Sequence, residues 1–595
     1  MPDEFVAQER TDGVPLFVEE LTKTVLERGV ALVGIPATLH DSLMARLDRS
    51  ESVGRVAQIG SAIGREFSYT LLHTVSSLPE EELRSALDRL VASELVFQRG
   101  APPEAVYSFK HALVQDAAHG SLLRNVRQQL HAHIAEALET HSPELMDTQP
   151  ELFAQHYAEA GSVEKAVIYW GKAGRRSAAH SAMSEAAAQF QKGLDQLALL
   201  PDTPERSKQE LEFLNSLGAA LYPLKGPGAP EMGLAYARGL ELWTRLGSPA
   251  EFLDVPYGRL RSLLFSGELA SALGLAEDLL RLSHERDDVA GLVQGHFAIG
   301  RTLTFIGRFG PARSHLEKSL SLHNEIGRPA ITRGVGTIQM GVQMYGLQMY
   351  SAIVLACLGY PDQALSNSAA SAVEARGLAD PISLATSMAM RSRLFSLVGD
   401  DMALGEQADQ LVSLTIEQGF RQWHAQGTIY RGWVQARNGD VAEGMTLLRS
   451  GLIAFRASGT QAWLPHFLAL CASACDLAGE AEDGLSLLDE AMQIVDRTGE
   501  RWLEAELYRL KGQLLLRQGH TNTAEELYRK ALRIAQEQEA KLRELRAAVS
   551  LARLRRDQGR RAEARDLLAP VYGWFTEGFD RPDLKEAKAL LDELT

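Results

Sequence analysis

The sequence predicts an all-α fold: a solenoid of helical hairpins with a period of about 40 residues, preceded by a small module with one β-hairpin. The first observation is a regular spacing of glycines, five consecutive equal steps through positions 359, 399, 439, 479, 519 and 559. With 50 Gly among 595 residues, chance produces five such steps at about 4 × 10⁻⁶ per starting glycine, so the period is real. Gly267 and Gly307 are separated by the same step. The second observation is a strand–turn–strand pattern near residue 100.

Residues at fixed offsets from these glycines define the repeating unit. One unit is marked by Gly512, Leu515, Gly519, Ala524, Tyr528 and Ala531. The early residues are three or four apart on one helix and the later ones line a second helix. The glycine between them ends the first helix because glycine readily adopts a positive φ. This spacing resembles the tetratricopeptide repeat (TPR), lengthened by about six residues from the usual 34.

The repeats predict how most of the chain is organised. One hairpin cannot bury its apolar face alone, so stacked neighbours form a continuous core in a curved superhelix. We expect a TPR-like α-solenoid over 231–595, preceded over 126–230 by irregular TPR-like helices, with weak repeat features near residue 160. Residues 224–230, rich in glycine and proline, predict a loop inserted in one unit.

A second glycine series marks the ends of the second helices, at positions 419, 459 and 499. Tryptophans follow these glycines at nearly the same step: Trp423, Trp463 and Trp502. The interval from Gly307 to Gly359 breaks the period, and the methionines in it, Met340, Met344 and Met349, predict either core packing or an adaptable contact surface.

Residues 35–125 follow a different pattern of three apolar-faced helices and a hairpin. Thr38 and Asp41 predict a capping box at the start of the first helix. Apolar residues recur at helical spacing around residues 53–63 in a second helix, and Pro79 starts a third. Residues 95–99 and 105–109 predict a β-hairpin around a Gly-Ala-Pro-Pro turn. Together these elements predict a winged-helix module.

The charge balance argues against nucleic acid as a partner. The chain has 61 Lys+Arg against 77 Asp+Glu, a net charge of −16, and an acidic surface repels a phosphate backbone unless a local basic patch outweighs it. The helix of residues 79–94, which would be the recognition helix of a winged-helix module, itself carries more acidic than basic residues. Residues 541–566 are locally basic, which is consistent with an acidic or nucleic-acid partner but is more typical of a solvated helix face.

The remaining composition predicts a soluble cytoplasmic protein with no membrane partner. Three cysteines are too few for a disulfide framework. Residues 1–4 lack the features of a signal peptide. No uninterrupted apolar run is long enough for a membrane-spanning helix, which requires about 18 residues or more.

Two groups of metal-ligand residue types are better explained by packing. Cys471 and Cys475 lie four apart on one predicted helix, with His466 as a nearby third ligand, but Cys475 occupies a core position of its repeat. His131 and His133 lie two apart on a helix and so point to different faces. We therefore expect no metal site.

Several longer motifs resemble a bacterial family of large signalling proteins. Those proteins join an adenylate/guanylate cyclase domain to an AAA ATPase of the STAND type and a TPR array. The matching segments are GVPLFVEEL (13–21), IPATLHDSLMARL (35–47), GREF (64–67), FKHALVQDAA (109–118), GYPDQAL (359–365), GWFTEGFD (573–580) and LKEAK (584–588).

The resemblance implies roles for three residues. Residues 1–34 would be a remnant of the ATPase lid, in which Gly13 and Pro15 match a motif that packs near the adenine of the nucleotide. His111 would match a winged-helix histidine that senses the bound nucleotide. The simpler alternatives are a turn before a helix for Gly13 and Pro15, and a hydrogen-bonded histidine between hairpin and helix for His111.

We predict that this chain is not an enzyme and needs no cofactor of its own. The pattern G-x-x-x-x-G-K-[ST] that cradles phosphates is not found, since Gly171-Lys172 is followed by Ala173 and lacks the earlier glycine. The leading hypothesis is a protein–protein interaction scaffold, the sensor arm of a signal-transduction ATPase or cyclase, that binds a protein or peptide on its concave face. One alternative is a regulatory subunit that completes a separately encoded ATPase or cyclase, and another is a transcriptional regulator.

Overall fold

The computed structural model describes residues 50–326, 337–378 and 380–595, which form helices and one small sheet, as the sequence predicts. Contacts divide the chain into two compact units, one of residues 1–180 and 188–201 and the other of residues 181–187 and 202–595. The predicted boundaries after residues 34, 125 and 230 remain predictions, and the helix predicted to start near Thr38 lies outside the described residues.

The described part of the first unit begins with two of the predicted helices and the predicted hairpin. Its elements are α1 (Glu51–Ile63), β1 (Glu66–Ser68), α2 (Tyr69–Val75), α3 (Glu80–Ala92), β2 (Val96–Arg99) and β3 (Val106–Phe109). The three strands form an antiparallel sheet in the order β1-β3-β2. Strand β1 and helix α2 were not predicted, because a three-residue strand is too short to show a period. Phe67 of β1 is buried against Tyr107 and Phe109.

The described residues of the first unit that follow β3 form helices. These helices are α4 (Ala112–Gly120), α5 (Arg124–His141), α6 (Leu145–Thr148), α7 (Pro150–Ala160) and α8 (Val163–Ala179), and α9 (Met183–Leu197) follows. Helices α7 and α8 form a hairpin whose connecting Gly161 has φ 76°. This is the weak repeat predicted near residue 160.

The second unit is a stack of helical hairpins. Its helices are α10 (Pro204–Lys225), α11 (Pro230–Arg245), α12 (Asp254–Ser266), α13 (Leu269–Glu285), α14 (Val289–Ile306), α15 (Phe309–Ile326), α16 (Thr337–Cys357), α17 (Pro361–Gly377), α18 (Pro381–Val398), α19 (Asp401–Gln418), α20 (Arg421–Arg437), α21 (Val441–Ala457), α22 (Leu464–Ala478), α23 (Ala481–Thr498), α24 (Glu504–Arg517), α25 (Thr521–Glu537), α26 (Lys541–Asp557), α27 (Arg561–Tyr572) and α28 (Pro582–Leu594). The even-numbered helices from α10 to α26 are the first helices of the hairpins, and the odd-numbered ones are the second helices.

The period glycines lie where the sequence predicts, at the ends of the first helices. All eight, from Gly267 to Gly559, have φ between 73° and 104°. Small residues inside the hairpins let the two helices approach closely: a Cβ at Gly432 would lie 2.7 Å from the carbonyl oxygen of Gly444. In the irregular interval α16 is 21 residues long, and Met349 on it is a core residue.

The first helices line the inner side of the superhelix. Each one contacts its own second helix and also the first helix of the next hairpin. This double contact is the packing of a TPR-like array, in which the first helices form the concave face.

Successive turns of the superhelix touch through backbone hydrogen bonds. The carbonyl of Phe265, at the end of α12, accepts from the N–H of Gln461 at 2.8 Å, and the carbonyl of Phe305, at the end of α14, accepts from the N–H of Trp502 at 3.1 Å. The donors stand about five repeats further along the chain in each case. Carbonyls that a helix end leaves without an intrahelical partner are satisfied in this way.

The predicted loop at residues 224–230 is shorter than expected and is part of this turn-to-turn contact. Helix α10 continues to Lys225 and α11 begins at Pro230, so that only residues 226–229 connect them. A Cβ at Gly228 would lie 2.6 Å from the Cα of Thr460. Glycine is required here because the backbones of two turns meet.

The locally basic stretch 541–566 is only in part the solvated helix face that its composition favours. Arg543 is 4% exposed, and its guanidinium donates to Sγ of Cys357 at 3.1 Å and lies 4.9 Å from the centre of the Trp502 ring. Arg546 donates to the carboxylate of Asp583 and to the carbonyl of Leu397. These two arginines therefore join helices within the second unit.

We predict that Gly267→Ala destabilises the protein more than Gly519→Ala does. Both glycines have φ 87°, so each alanine costs about 1–2 kcal/mol of backbone strain. At residue 267 the new Cβ would also lie 2.6 Å from Cγ2 of Thr498 in the next turn, whereas nothing lies within 4 Å at residue 519. Overpacking adds about 1–3 kcal/mol. Urea unfolding monitored by circular dichroism measures both losses, and equal losses would contradict the turn-to-turn contact.

Candidate ligand cavity on the inner face

A partly enclosed cavity of about 80 Å³ lies on the inner side of the second unit. The residues that line it come from the first helices α10 to α20, from the connection after α10 and from the connection just before α22. They are Tyr222, Pro227, Arg261, Phe265, Phe297, Arg301, Tyr345, Gly346, Tyr350, Thr386, Ala389, Met390, Arg393, Gln422, Trp423, Gln426 and Trp463. Aromatic rings and three arginines dominate this set.

The repeat itself positions the three arginines. Arg261, Arg301 and Arg393 each stand six positions before a period glycine, and in the one intervening repeat the same position is Ile353. Equivalent positions of stacked first helices face the same side, so the three guanidinium groups meet on the inner face. We did not single out these residues from the sequence. A comparison of residue types at each repeat position would have found them.

Arg393 is the most tightly held of the three. It is 1% exposed, and its guanidinium donates to Oε1 of Gln426 at 2.8 Å and to Sδ of Met390 at 2.9 Å. It also lies 3.9 Å from the centre of the Trp463 ring. Its Nε has no protein partner.

Arg261 and Arg301 make contacts with aromatic rings. The guanidinium of Arg261 lies 4.5 Å from the centre of the Tyr222 ring, and that of Arg301 lies 5.1 Å from the centre of the Phe297 ring. The two residues are 6% and 9% exposed. Nε and Nη2 of Arg261 and Nε of Arg301 are buried without a protein partner. Burial lowers the pKa of Arg301, and the nearby charge of Arg261 adds to this effect.

No carboxylate neutralises these arginines at close range. Within residues 50–326, 337–378 and 380–595, none of the three has an aspartate or glutamate oxygen at ion-pair distance. Asp254, two turns earlier on α12, interacts with Arg261 only through longer-range electrostatics. The sequence of 327–344 contains Arg328 and Arg333 but no acidic residue. The cavity wall therefore carries positive charge that other residues of this unit do not balance at contact distance.

Glu500 is a buried carboxyl group that interacts electrostatically with Arg393. Its hydrogen bonds, however, are made with other residues. It is 2% exposed and accepts hydrogen bonds from the backbone N–H of Trp463 at 3.0 Å and from Nε1 of Trp502 at 2.8 Å. Burial raises the pKa of Glu500 to about 8, although these two donors lower it. The oxygens of Glu500 thus accept hydrogen bonds from Trp463 and Trp502, and the three arginines of the cavity are not among their donors.

Of the three residues singled out by resemblance, only His111 lies within the described residues, and it does not line this cavity. Gly13 and Pro15 lie outside the described residues. His111 belongs to the other unit, where it is half-buried and immediately precedes α4. Its backbone carbonyl accepts from the N–H of Val114 at 3.1 Å. The nucleotide-related roles of these three residues remain predictions.

The two cysteines on α22 pack in the core, as predicted. Cys471 and Cys475 are 3% and 1% exposed, and burial raises the pKa of Cys471 to about 12 and that of Cys475 to about 11. His466 instead lies 3.2 Å from Oγ of Ser396 and beside the Trp502 ring. Among the described residues, no group of three or more His, Cys, Asp and Glu side chains is arranged to hold a metal ion.

A chain of three histidines in the first unit was not predicted. His131 and His133 do point to different faces, since His131 is buried and His133 is exposed. His131 Nδ1 lies 2.8 Å from Nδ1 of His156, and its Nε2 lies 3.4 Å from Nε2 of His119. Burial lowers the pKa of His131 to about 3 and that of His156 to about 4. The short Nδ1–Nδ1 contact requires a neutral ring, because two imidazolium ions would bring two N–H donors together.

Comparisons with known proteins support the predicted repeat type. Residues 467–537 match the family model of the tetratricopeptide repeat. A curated but uncharacterised protein of Rhizobium meliloti (strain 1021) is 24% identical over 552 residues, which are 88% of this chain and 52% of that protein. The chain thus spans about half the length of this relative. No helix within the described residues is both long and apolar enough to cross a membrane.

Similar solved structures share low sequence identity with this chain. A Rap protein complexed with competence and sporulation factor is 13% identical, with a TM-score of 0.43 over 64% of this chain and 98% of that chain. The Cut9–Hcn1 hetero-tetramer is 14% identical, with a TM-score of 0.40, and the match covers 93% of this chain and 94% of that chain. The STAND protein with a tetratricopeptide repeat sensor from Pyrococcus horikoshii is 12% identical, with a TM-score of 0.27, and the match covers 100% of this chain and 71% of that chain.

We predict that acid destabilises the first unit through His131 and His156. Below pH about 6.5 these histidines bind protons in the unfolded chain, whereas burial keeps them neutral in the folded unit down to pH about 4. Stability therefore falls as the pH falls through this window, by about 1.4 kcal/mol per pH unit for each proton taken up. Amide hydrogen-exchange protection factors of α5 and α7, measured at pH 7 and pH 5, report this loss.

The matched variants are His156→Gln and His133→Gln. The first removes one buried titrating group, so the difference in protection between the two pH values shrinks. The second alters an exposed histidine on α5 and leaves that difference as it is. Protection that does not change between pH 7 and pH 5 in the native chain would show that the buried rings do not control acid stability.

Proposed function

We propose that this chain is a non-enzymatic scaffold whose inner face binds a protein or peptide. The observation that carries the proposal is the uncompensated positive charge of Arg261, Arg301 and Arg393 in a cavity on that face. A buried arginine without an acidic partner is destabilising unless another group compensates it. A ligand with negative charge supplies that compensation.

The surroundings of the arginines fit a binding role. Arginine, tryptophan and tyrosine are the residue types that contribute most to the binding energy of protein interfaces. The cavity combines all three types, with Trp423, Trp463 and Tyr222 beside the guanidinium groups. TPR-like arrays present an extended concave surface for such ligands. The chain as a whole is acidic, so the positive patch is a local feature of the inner face.

The finer part of the proposal concerns the signalling context. The motifs at 13–21, 35–47 and 109–118 resemble signalling proteins with cyclase, STAND ATPase and TPR parts. On this basis the chain acts as the sensor arm of such a system, and ligand binding to the solenoid controls an ATPase or cyclase partner.

Hydrogen exchange of the full chain, with and without peptides selected from an eight-residue random library, tests the proposal. We expect slower exchange in the inner helices α12, α14 and α18 and unchanged exchange in the outer helices α13 and α19. At a peptide concentration about 100 times Kd, binding stabilises the folded state by about 2.7 kcal/mol. Exchange through openings of the inner helices that release the peptide then slows about 100-fold, whereas exchange through local openings of the outer helices that leave the peptide bound does not change.

Two results would contradict the proposal. If no peptide is selected, or if only the outer helices are protected, the inner face is not the binding surface. ATP alone is the control ligand and should leave exchange unchanged. Protection of α4, which follows His111, by ATP would instead favour a nucleotide-binding subunit.

A further inference from the structure

We infer that residues 573–582 form a clasp that holds the superhelix of the second unit closed and limits access to the cavity on its inner face. This segment, the clasp, comprises the connection between α27 and α28 and the first residue of α28. The inference concerns the regulation of the inner-face site, and it rests on the proposed function only for the ligand that the site takes.

The clasp brings together two of the sequence motifs, GYPDQAL and GWFTEGFD, which are about 215 residues apart along the chain. Oε1 of Glu577 accepts from the backbone N–H groups of Asp362 at 2.8 Å and Gln363 at 3.1 Å, and its Oε2 accepts from Nε2 of Gln363 at 2.8 Å. In return, the backbone N–H of Gly578 donates to Oδ2 of Asp362 at 2.9 Å. Because the first N–H groups of a helix have no intrahelical partner, the clasp caps the start of α17 from another turn.

Close packing accompanies these hydrogen bonds. A Cβ at Gly578 would lie 2.4 Å from Cγ of Pro361, and a Cβ at Gly359 would lie 2.7 Å from Cζ3 of Trp574. The centres of the Trp574 and Tyr360 rings are 5.6 Å apart. Each motif thus supplies a glycine at the place where the other motif presents a ring.

The clasp also reaches α19. The guanidinium of Arg581 lies 3.5 Å from Oδ1 of Asp362 and 3.6 Å from Oδ2 of Asp400, the residue before α19. Pro582 packs against Gly399, where a Cβ would lie 3.3 Å from Cγ of the proline. The clasp therefore holds the connections that follow α16 and α18.

The clasp is anchored on one side and exposed on the other. Phe575 is 4% exposed and belongs to the core of the last repeats, together with Leu545 and Leu584. The side chains that meet between the turns are more open to solvent, with Trp574 37% and Asp362 46% exposed. Exposed polar contacts are weak compared with a buried apolar core. The contacts with α17 and α19 can therefore separate while α26 to α28 stay folded.

The helices next to the clasp form walls of the cavity. Tyr345 and Tyr350 lie on α16, and Met390 and Arg393 lie on α18. The Arg393 guanidinium lies 3.9 Å from the centre of the Trp463 ring, which precedes α22. With these walls together the cavity measures about 80 Å³, whereas pockets that enclose a whole small molecule measure about 300–1,000 Å³. A ligand group larger than a few waters therefore enters only when the walls move apart.

Closure is opposed by the polar groups that it buries. Four buried guanidinium nitrogens of Arg261, Arg301 and Arg393 have no protein partner, and a more open superhelix would expose them to water. These donors favour the open form, while the clasp favours the closed one. Such a balance gives an element with two states, whose populations a ligand shifts by binding one of them.

The experiment uses the full chain, with Glu577→Ala as the test variant and Asp580→Ala as the matched control. The test variant removes three hydrogen bonds of the clasp. Asp580 lies in the same segment, carries the same charge and is 68% exposed, with Arg581 as its neighbour at 3.5 Å. A second test variant, Asp362→Ala, removes the acceptor of the Gly578 N–H from the side of α17. It alters no residue of α26 to α28, so it decides the question if Glu577→Ala fails to fold.

The first readout needs no ligand. Amide hydrogen exchange at Asp362 and Gln363, resolved by fragmentation mass spectrometry, should be about 10-fold faster in Glu577→Ala, because hydrogen bonds to a charged acceptor are lost. Exchange within α26 to α28 should not change, and Asp580→Ala should match the native chain at both places. Small-angle X-ray scattering should give a larger radius of gyration for both test variants than for the control. Unchanged exchange or an unchanged radius would overturn the clasp.

The second readout separates this inference from the proposed function. Calorimetric titration with eight-residue peptides selected on the native chain should show about 10-fold tighter binding to Glu577→Ala, because a larger fraction of the molecules is open. Asp580→Ala should bind as the native chain does. Equal or weaker binding to Glu577→Ala would overturn the inference and leave the scaffold function intact. If the first readout shows opening and no peptide binds to either protein, the clasp is supported and the peptide-binding function is overturned.

Discussion

The inner face of the second unit depends on the contact between successive turns of the superhelix. The hydrogen bond from Gln461 to the carbonyl of Phe265 joins two turns. Phe265 and Trp463, beside the two ends of this bond, both line the cavity. The contact that satisfies a helix-end carbonyl therefore also encloses the space in which the arginines lie. A more open superhelix would leave these guanidinium groups in water, where they need no partner.

The same contact gives the repeating glycine two physical roles. At Gly267, Gly307 and Gly359 a Cβ would lie within 3 Å of atoms in another turn, whereas at Gly439, Gly479, Gly519 and Gly559 nothing lies within 4 Å. The first group is needed for both backbone conformation and close packing, and the second group for conformation alone. The glycine period thus specifies the end of the first helix in every hairpin. It also allows close contact between turns, but only in those repeats that lie against another turn.

Burial of polar groups is handled differently in different parts of the molecule. Near the C-terminus, Arg546 is neutralised by Asp583 and Glu506, which makes the buried charge part of the packing. The histidines of the first unit avoid charge, because burial keeps their rings neutral. The arginines of the cavity follow neither solution, since they have no acidic neighbour at contact distance and leave guanidinium nitrogens without a protein partner. Under the proposed function, these unsatisfied groups are where stability is lowered for binding.

The sequence by itself determined the helical class, the period of the hairpins, the glycines that end their first helices and the hairpin of β2 and β3. These features are local, since each depends on residues within one repeat or one turn. The tertiary structure decided which repeats touch across turns, that Arg543 and Arg546 are structural, and that Arg261, Arg301 and Arg393 meet in one cavity. Residues about 40 to 130 positions apart converge there because the superhelix brings equivalent faces together. A hydrophobic period reports only the presence of a buried face, so it could not show what lies opposite each residue.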